Sequence, residues 1–318
     1  MNYHDCIICL NVFFFTWSQA TNVSWNYTAK LDFDNKKFND ELLGEYNAQS
    51  TCVCSAMCQE DCGVFGYNPK LKKCRVHTQF NCTSEMSDEA GWRYYFDKFL
   101  PMDCKDVRDN GHTSSGVYEI YPFGARSCPV RVYCDMETMD GGWTVIQNRK
   151  DGSLNFQRSW KEYKNGFGEP GQNVWIGNNL IHQLTKGKKS YLYVSITLEN
   201  GTTLYELYER FSISDEGEKY KLFLAGDATG TLGDRMLNPG HPALVLSGMY
   251  FSTPNRDNDP WDISHCALKY RGGWWFNTCH NAFLNGPWAD RYYWIKPWYP
   301  PIYYSTDVNG TMMMIKRH

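Results

Sequence analysis

The 318-residue chain has a formal charge of −3, 13 cysteines and 16% aromatic residues. No basic run exceeds Lys316-Arg317-His318, so nucleic-acid binding by phosphate neutralisation is not expected. The length exceeds what one small core needs, which predicts two domains.

The chain opens on an apolar run, Ile7 to Trp17, followed by Ser18-Gln19-Ala20, which offers small residues where a signal peptidase cuts. Residues 1–20 are therefore expected to be a secretory signal peptide. The run is too short for a membrane span, which takes ~20 apolar residues. The alternative is a buried N-terminal strand or helix. Cys6 and Cys9 leave with the leader; six of the remaining cysteines fall between Cys52 and Cys82, and five between Cys104 and Cys279. Grouped cysteines in an exported chain point to disulfides, which persist in an oxidising compartment. Zinc would require paired CxxC spacing, and the first group has only His77 besides its cysteines. Asn22, Asn26, Asn81, Asn200 and Asn309 head Asn-x-Ser/Thr sequons for glycosylation. No later segment is long and apolar enough to span a bilayer, so a secreted, extracellular glycoprotein is expected.

An N-terminal segment (21–49) precedes a cysteine-rich unit (50–96), a connector containing Pro101 (97–103) and a large unit (104–318). Cys54, Cys58 and Cys62 recur every fourth residue, which places them on one face of a helix. Gly63 to Asn68 predicts a strand, Pro69-Lys70 a turn, and Cys74-Arg75-Val76 a second strand. A helix tied by disulfides to a β-hairpin follows, because a unit below ~50 residues has a marginal core. The pattern resembles the PAN/apple module, with its C-x3-C helix, C-x-x-F-x-Y-N strand and C-x-hydrophobic strand.

In the large unit Val117 to Tyr121, Val130 to Met136 and Trp143 to Asn148 are rich in β-branched and aromatic residues between Gly/Pro turns, and predict strands. Trp160 to Tyr163 and Asn179 to Leu184 predict short helices, and Tyr191 to Leu198 and Leu204 to Phe211 further strands. No heptads, Gly-X-Y triplets or fixed-period repeats occur, so any oligomer forms without a coiled coil or collagen stalk.

An acidic turn (Asn255, Asp257, Asp259, Asp262) then precedes a loop bounded by Cys266 and Cys279, which holds Gly272-Gly273-Trp274-Trp275 and is followed by His280. Adjacent residues point opposite ways, so at least one of the two tryptophans faces inward, and both are read as core.

GVYEIYPFG (116–124), VYCDMETMDGGWTVIQNRKDGSLNFQRSWKEYKNGFGEPG (132–171), WIGNNLIHQLT (175–185) and GGWWFNTCHNAFLNG (272–286) closely resemble the fibrinogen C-terminal domain of fibrinogen-related lectins. The similarity runs from about Cys104 to the C-terminus. It implies an α+β fold with a mixed β-sheet core, a calcium-braced region with a pocket beside it, and bridges Cys104–Cys134 and Cys266–Cys279. Cys128 has no counterpart there. It is the odd cysteine, either bridging two chains into a disulfide-linked homo-oligomer or staying buried and unpaired.

Calcium takes six to eight oxygens, so a site needs carboxylates and carbonyls on a flexible loop. The family's D-x-D-N-D motif puts its ligand aspartates at Asp257 and Asp259, joined by main-chain carbonyls of Trp261 and of Ile263 or Ser264. Two departures stand out: Asn255 replaces the first aspartate, and six residues including Pro260 separate Asp259 from Cys266 where five are usual. The alternative is an acidic surface turn. The family's acetyl-binding walls map onto Tyr270 and His280, and a third onto Tyr292 or Tyr293. An acetamide offers a methyl for aromatic packing and a carbonyl and N–H for directed hydrogen bonds. A satisfied structural histidine is the alternative for His280. Segment 287–310 departs from the family's run, so ligand choice is not inherited.

The expected function is calcium-dependent recognition of glycans bearing N-acetyl groups, in innate immunity, with avidity gained from multivalency. The alternative is a signalling or matrix ligand for a protein receptor. No HExxH or G-x-S-x-G occurs, and Gly187-Lys188-Lys189-Ser190 lacks the upstream glycine of a phosphate loop, so no enzyme is expected.

Overall fold

The computed structural model describes residues 28–29, 34–38, 42–58, 62–78, 86–96, 100–124, 127–288, 297–302 and 308–318. Residues 1–20, Asn22, Asn26, Asn81, Cys82, Tyr292 and Tyr293 lie outside them. Contacts divide the chain into one unit of Met1–Leu100 with Phe123–Pro129, and a second of Pro101–Pro122 with Val130–His318. Among the described residues no helix is long and apolar enough to cross a membrane.

The first unit contains β1 (Thr28–Ala29), β2 (Lys36–Phe38), β3 (Leu42–Asn47), α1 (Thr51–Met57), β4 (Val64–Asn68), β5 (Lys73–His77), β6 (Met86–Asp88) and β7 (Arg93–Phe96). Five strands form an antiparallel sheet in the order β1-β7-β4-β5-β3, and β2 pairs with β6. Asn68 closes the β4–β5 turn by accepting the N–H groups of Lys70 and Leu71 at 3.1 Å each. Ser50 caps α1, and the buried Cys54 on that helix is bonded to Cys74 on β5, so the helix is stapled to the hairpin. The helical run of three cysteines is shorter than expected. Cys58 leaves the helical region (φ −83°, ψ 92°) and pairs with Cys62.

Cys52 and Cys128 are disulfide-bonded as well. That removes the thiol on which a bridge between chains, or an unpaired buried cysteine, was expected. The segment Phe123–Pro129, which carries Cys128, groups with the first unit.

The second unit contains α2 (Cys104–Asp109), β8 (Gly116–Ile120), β9 (Val130–Asp135), β10 (Trp143–Arg149), α3 (Trp160–Asn165), β11 (Phe167–Gly168), β12 (Val174–Trp175), α4 (Asn178–Thr185), β13 (Ser190–Leu198), β14 (Thr203–Ile213), β15 (Leu222–Gly230), α5 (Cys266–Tyr270) and β16 (Val308–Arg317). The large sheet runs β11-β12-β10-β16-β13-β14-β15, with β9 on β10 and β8 on β9. Its described ladders are all antiparallel rather than mixed. The C-terminal strand β16 lies between β10 and β13, pairing Met314 with both Val145 and Tyr193. Side chains alternate between the two faces. Trp143, Val145, Tyr193 and Met314 cover one, while Ile146, Leu192, Val194, Met313 and Ile315 join the main core on the other. Cys104 on α2 is bonded to Cys134 on β9.

Glu206 on β14 is 2% exposed, and its Oε2 has no hydrogen-bond partner among the described residues. Burial pushes its carboxyl above the usual carboxylate range, against the Gly233 N–H that pulls it down. With the folded-state pKa above the unfolded one, stability is greatest at low pH and is lost as pH rises through the folded value. Glu206→Gln is therefore expected to add roughly 1 kcal/mol at neutral pH, the scale of one unsatisfied buried acceptor. It should also flatten a plot of Tm against pH above the ordinary glutamate range. A Tm that falls at neutral pH contradicts this.

Candidate ligand and metal site

The site is built from a turn and a loop laid over the large sheet. Ser159 and Glu162 form a capping box that starts α3. The Trp160 N–H of that helix donates to Asn255 Oδ1 at 2.9 Å, and Thr253 Oγ1 donates to the same oxygen at 3.0 Å. Asn255, which stands where the motif has an aspartate, is thus committed to anchoring the turn. Ser252 and Trp274 exchange backbone hydrogen bonds at 2.9 and 3.0 Å, joining the acidic turn to the bridged loop. Asn258 stitches the same corner, donating its N–H to Ser252 Oγ (3.0 Å) and its side-chain amide to Phe251 O (2.7 Å).

Asp257 Oδ1 accepts the Asp259 N–H at 3.1 Å. Asp259 accepts two more N–H groups, from Trp261 at 3.1 Å and from Cys266 at 3.0 Å. Burial and the adjacent Asp257 carboxylate push the Asp259 carboxyl up to about 6. His265 Nε2 lies 3.2 Å from Thr253 O and 3.8 Å from Asp257 Oδ1. The Trp261 carbonyl accepts the Ser264 N–H at 3.1 Å, and Ile263 is 85% exposed. Among the described residues no three acidic, histidine or cysteine side chains gather as a metal cluster. The donor set still fits a hard divalent cation: two carboxylates are held together against their repulsion, and the remaining oxygens would come from carbonyls and water.

The Asp259 carboxylate also caps α5, because Cys266 is the first residue of that helix. Tyr270 is its last residue, and Arg271 ends it in the left-handed region (φ 59°). The Cys266–Cys279 bond closes the loop. Trp274 and Trp275 are both 0% exposed, because the loop is buried on both of its sides. Gly272 and Gly273 allow this: a Cβ would stand 2.3 Å from Asn285 O at the first and 2.6 Å from the Tyr163 ring at the second. Trp275 packs on Trp175, Phe211, Phe251 and Trp274, and its N–H donates to Tyr220 O at 2.8 Å.

Tyr270 and His280 meet edge to face, with ring centroids 4.7 Å apart. His280 also packs on Phe276 and Phe283 at 5.8 and 4.9 Å, and both its ring nitrogens are shielded from solvent. It therefore presents ring carbon rather than a nitrogen. Tyr292 and Tyr293 lie outside the described residues, so the third wall is not placed.

The sequence reading missed the buried polar frame behind this loop. A bulge after Val145 aims Gln147 inward, where its amide nitrogen lies within 3.1–3.3 Å of Leu284 O, Asn285 Oδ1 and Thr311 Oγ1, sharing its two hydrogens among them. Asn285 donates to Gly273 O at 3.1 Å, and the buried Arg149 donates to Leu284 O and Gly286 O. Burial pulls Arg149 down to about 10. Only the polar run Gln147-Asn148-Arg149 within an apolar strand hinted at this frame.

Residues 100–316 match the family profile "Fibrinogen beta and gamma chains, C-terminal globular domain". Human fibroleukin is 43% identical over 191 residues, 60% of this chain and 43% of that protein. Human angiopoietin-1 is 44% identical over 212 residues, 66% of this chain and 41% of that protein. The chain thus spans less than half the length of either relative. Among solved structures, a lamprey fibrin D-dimer in complex with the peptide ligand Gly-His-Arg-Pro-amide superposes with a TM-score of 0.60 at 33% identity, covering 68% of this chain and 73% of that one. A profile match over two thirds of the chain, the two bridges and the antiparallel sheet closed by a C-terminal strand agree: this chain belongs to the fibrinogen C-terminal domain family.

Proposed function

We propose that the second unit binds glycans bearing N-acetyl groups on the ring wall of Tyr270 and His280, with calcium held by Asp257, Asp259 and the carbonyls of Trp261 and Ile263. The observation that carries this is one hydrogen bond. Asp259 accepts the Cys266 N–H, so the acidic turn sets the start of α5, and that helix ends on Tyr270 against His280. A cation in the turn would supply the positive charge that lets both carboxylates stay ionised. The protein's own part is to hold two ring faces rigid, so that an acetyl methyl packs with little ordering entropy. The shielded nitrogens of His280 leave hydrogen bonding to backbone and hydroxyl groups. Asn200 and Asn309 are exposed and head sequons, which supports an extracellular glycoprotein; innate immunity is the setting proposed for it. For the first unit we infer a PAN/apple-like module, on the stapled α1 and β4–β5 hairpin.

A glycan array run with calcium and with chelator tests the reading. Tyr270→Ala is expected to weaken retention on N-acetylated sugars about tenfold, the scale of one aromatic contact. Retention equal to wild type, or unaffected by chelator, counts against it. The lamprey fibrin relative, complexed with a peptide, favours a second reading, in which the domain is a ligand for a protein receptor. That reading predicts no retention on neutral N-acetylated sugars in either buffer.

A further inference from the structure

We infer that the second unit carries a groove for sulfated glycosaminoglycans, lined by none of the residues of the acidic turn or the bridged loop. The groove measures about 860 Å³, and its lining includes Lys186, Lys188, Lys189, Lys221 and Phe223. Three of these lysines come from the Lys186-Gly187-Lys188-Lys189 loop between α4 and β13, a motif with no part in the acetyl site. The loop backbone is fixed at both ends: Lys186 N–H donates to His182 O at 2.7 Å, and Lys189 O accepts the His318 N–H at 3.0 Å. The ammonium groups are left for a partner. None of the four forms an ion pair among the described residues. Asp103, whose charge reaches Lys188, is paired instead with Arg317 at 3.4 Å. Lys221 does lie 5.3 Å from the Tyr250 ring, which it shares with Lys219 at 5.0 Å.

Four like charges collected on a chain of net charge −3 repel one another, and a polyanion relieves that repulsion while releasing its own counterions. Three features choose the class. The cations are all lysine, compact point charges suited to sulfate esters in varied directions, with no arginine fork for a planar bidentate anion. The volume sits toward the top of the ~300–1,000 Å³ range of ligand clefts, too large for one inorganic anion and fit for an oligomer. Phe223 is 53% exposed within the lining and offers a flat apolar surface for a sugar ring. The inference does not rest on the acetyl site, and its test leaves that site untouched.

The experiment measures binding of the full chain to immobilised heparin at two salt concentrations. Wild type is expected to bind and to weaken as salt rises. Lys188→Glu/Lys189→Glu/Lys221→Glu should bind about 100-fold more weakly, at the usual effect of one lysine facing a polyanion. The milder Lys188→Gln/Lys189→Gln pair should fall between the two, while Lys161→Glu on the outer surface of α3 should match wild type. Equal binding by the triple variant, or an equal loss in Lys161→Glu, overturns the groove. Equal affinity for desulfated heparin, an acidic peptide or single-stranded DNA of matched charge overturns the ligand class.

Discussion

Trp275→Ala is expected to lower unfolding free energy by about 3–5 kcal/mol, the range for emptying a buried tryptophan site. The ring is 0% exposed and touches four others, from Trp175 on β12 to Trp274 in the bridged loop. Its removal also strands the Tyr220 carbonyl that its N–H satisfies. Trp275→Phe should recover most of the packing and lose the hydrogen bond, a net cost of about 1–2 kcal/mol. Urea denaturation of the two variants checks both magnitudes and their order. A cost below about 1 kcal/mol for the alanine would mean that the loop is not packed as described.

The second large effect concerns calcium. A cation that binds only the folded state stabilises it by about 2.7 kcal/mol at 100 times its Kd. Calcium is expected to raise the wild-type Tm accordingly, and Asp257→Ala to abolish that rise. This variant is chosen because Asp257 is exposed and its contacts are peripheral, the Asp259 N–H at 3.1 Å and His265 Nε2 at 3.8 Å, so the metal-free fold should survive its loss. Asp259→Ala would also uncap α5 and confuse the two effects. An equal calcium-induced shift in wild type and Asp257→Ala would move the cation elsewhere.

What was legible in the sequence divides along physical lines. Val130 to Met136, Trp143 to Asn148 and Tyr191 to Leu198 declared themselves by β-branched and aromatic residues, and they are β9, β10 and β13. Strand β16 did not, because its centre, Met312-Met313-Met314, has no β preference and gains its place only from the two neighbours it pairs with. Helices α2 and α5 span one or two turns and are defined by caps from Asp103 and Asp259, which a periodicity cannot show. Spacing every fourth residue suggested a longer α1, but the bond from Cys58 to Cys62 replaces that turn. In the site, Tyr270 and His280 follow from the family resemblance, and they do meet, whereas Gln147 and Asn285, over 130 residues apart, come together only in the folded chain.

The most direct measurement is saturation-transfer NMR on N-acetylglucosamine, in calcium, with wild type and Tyr270→Ala. The proposed packing of an acetyl group on Tyr270 and His280, dependent on calcium in the acidic turn, predicts that the acetyl methyl receives the strongest saturation, and that chelator or the alanine removes it. An acetyl methyl no more saturated than the sugar-ring protons, or equally saturated without Tyr270, contradicts the account.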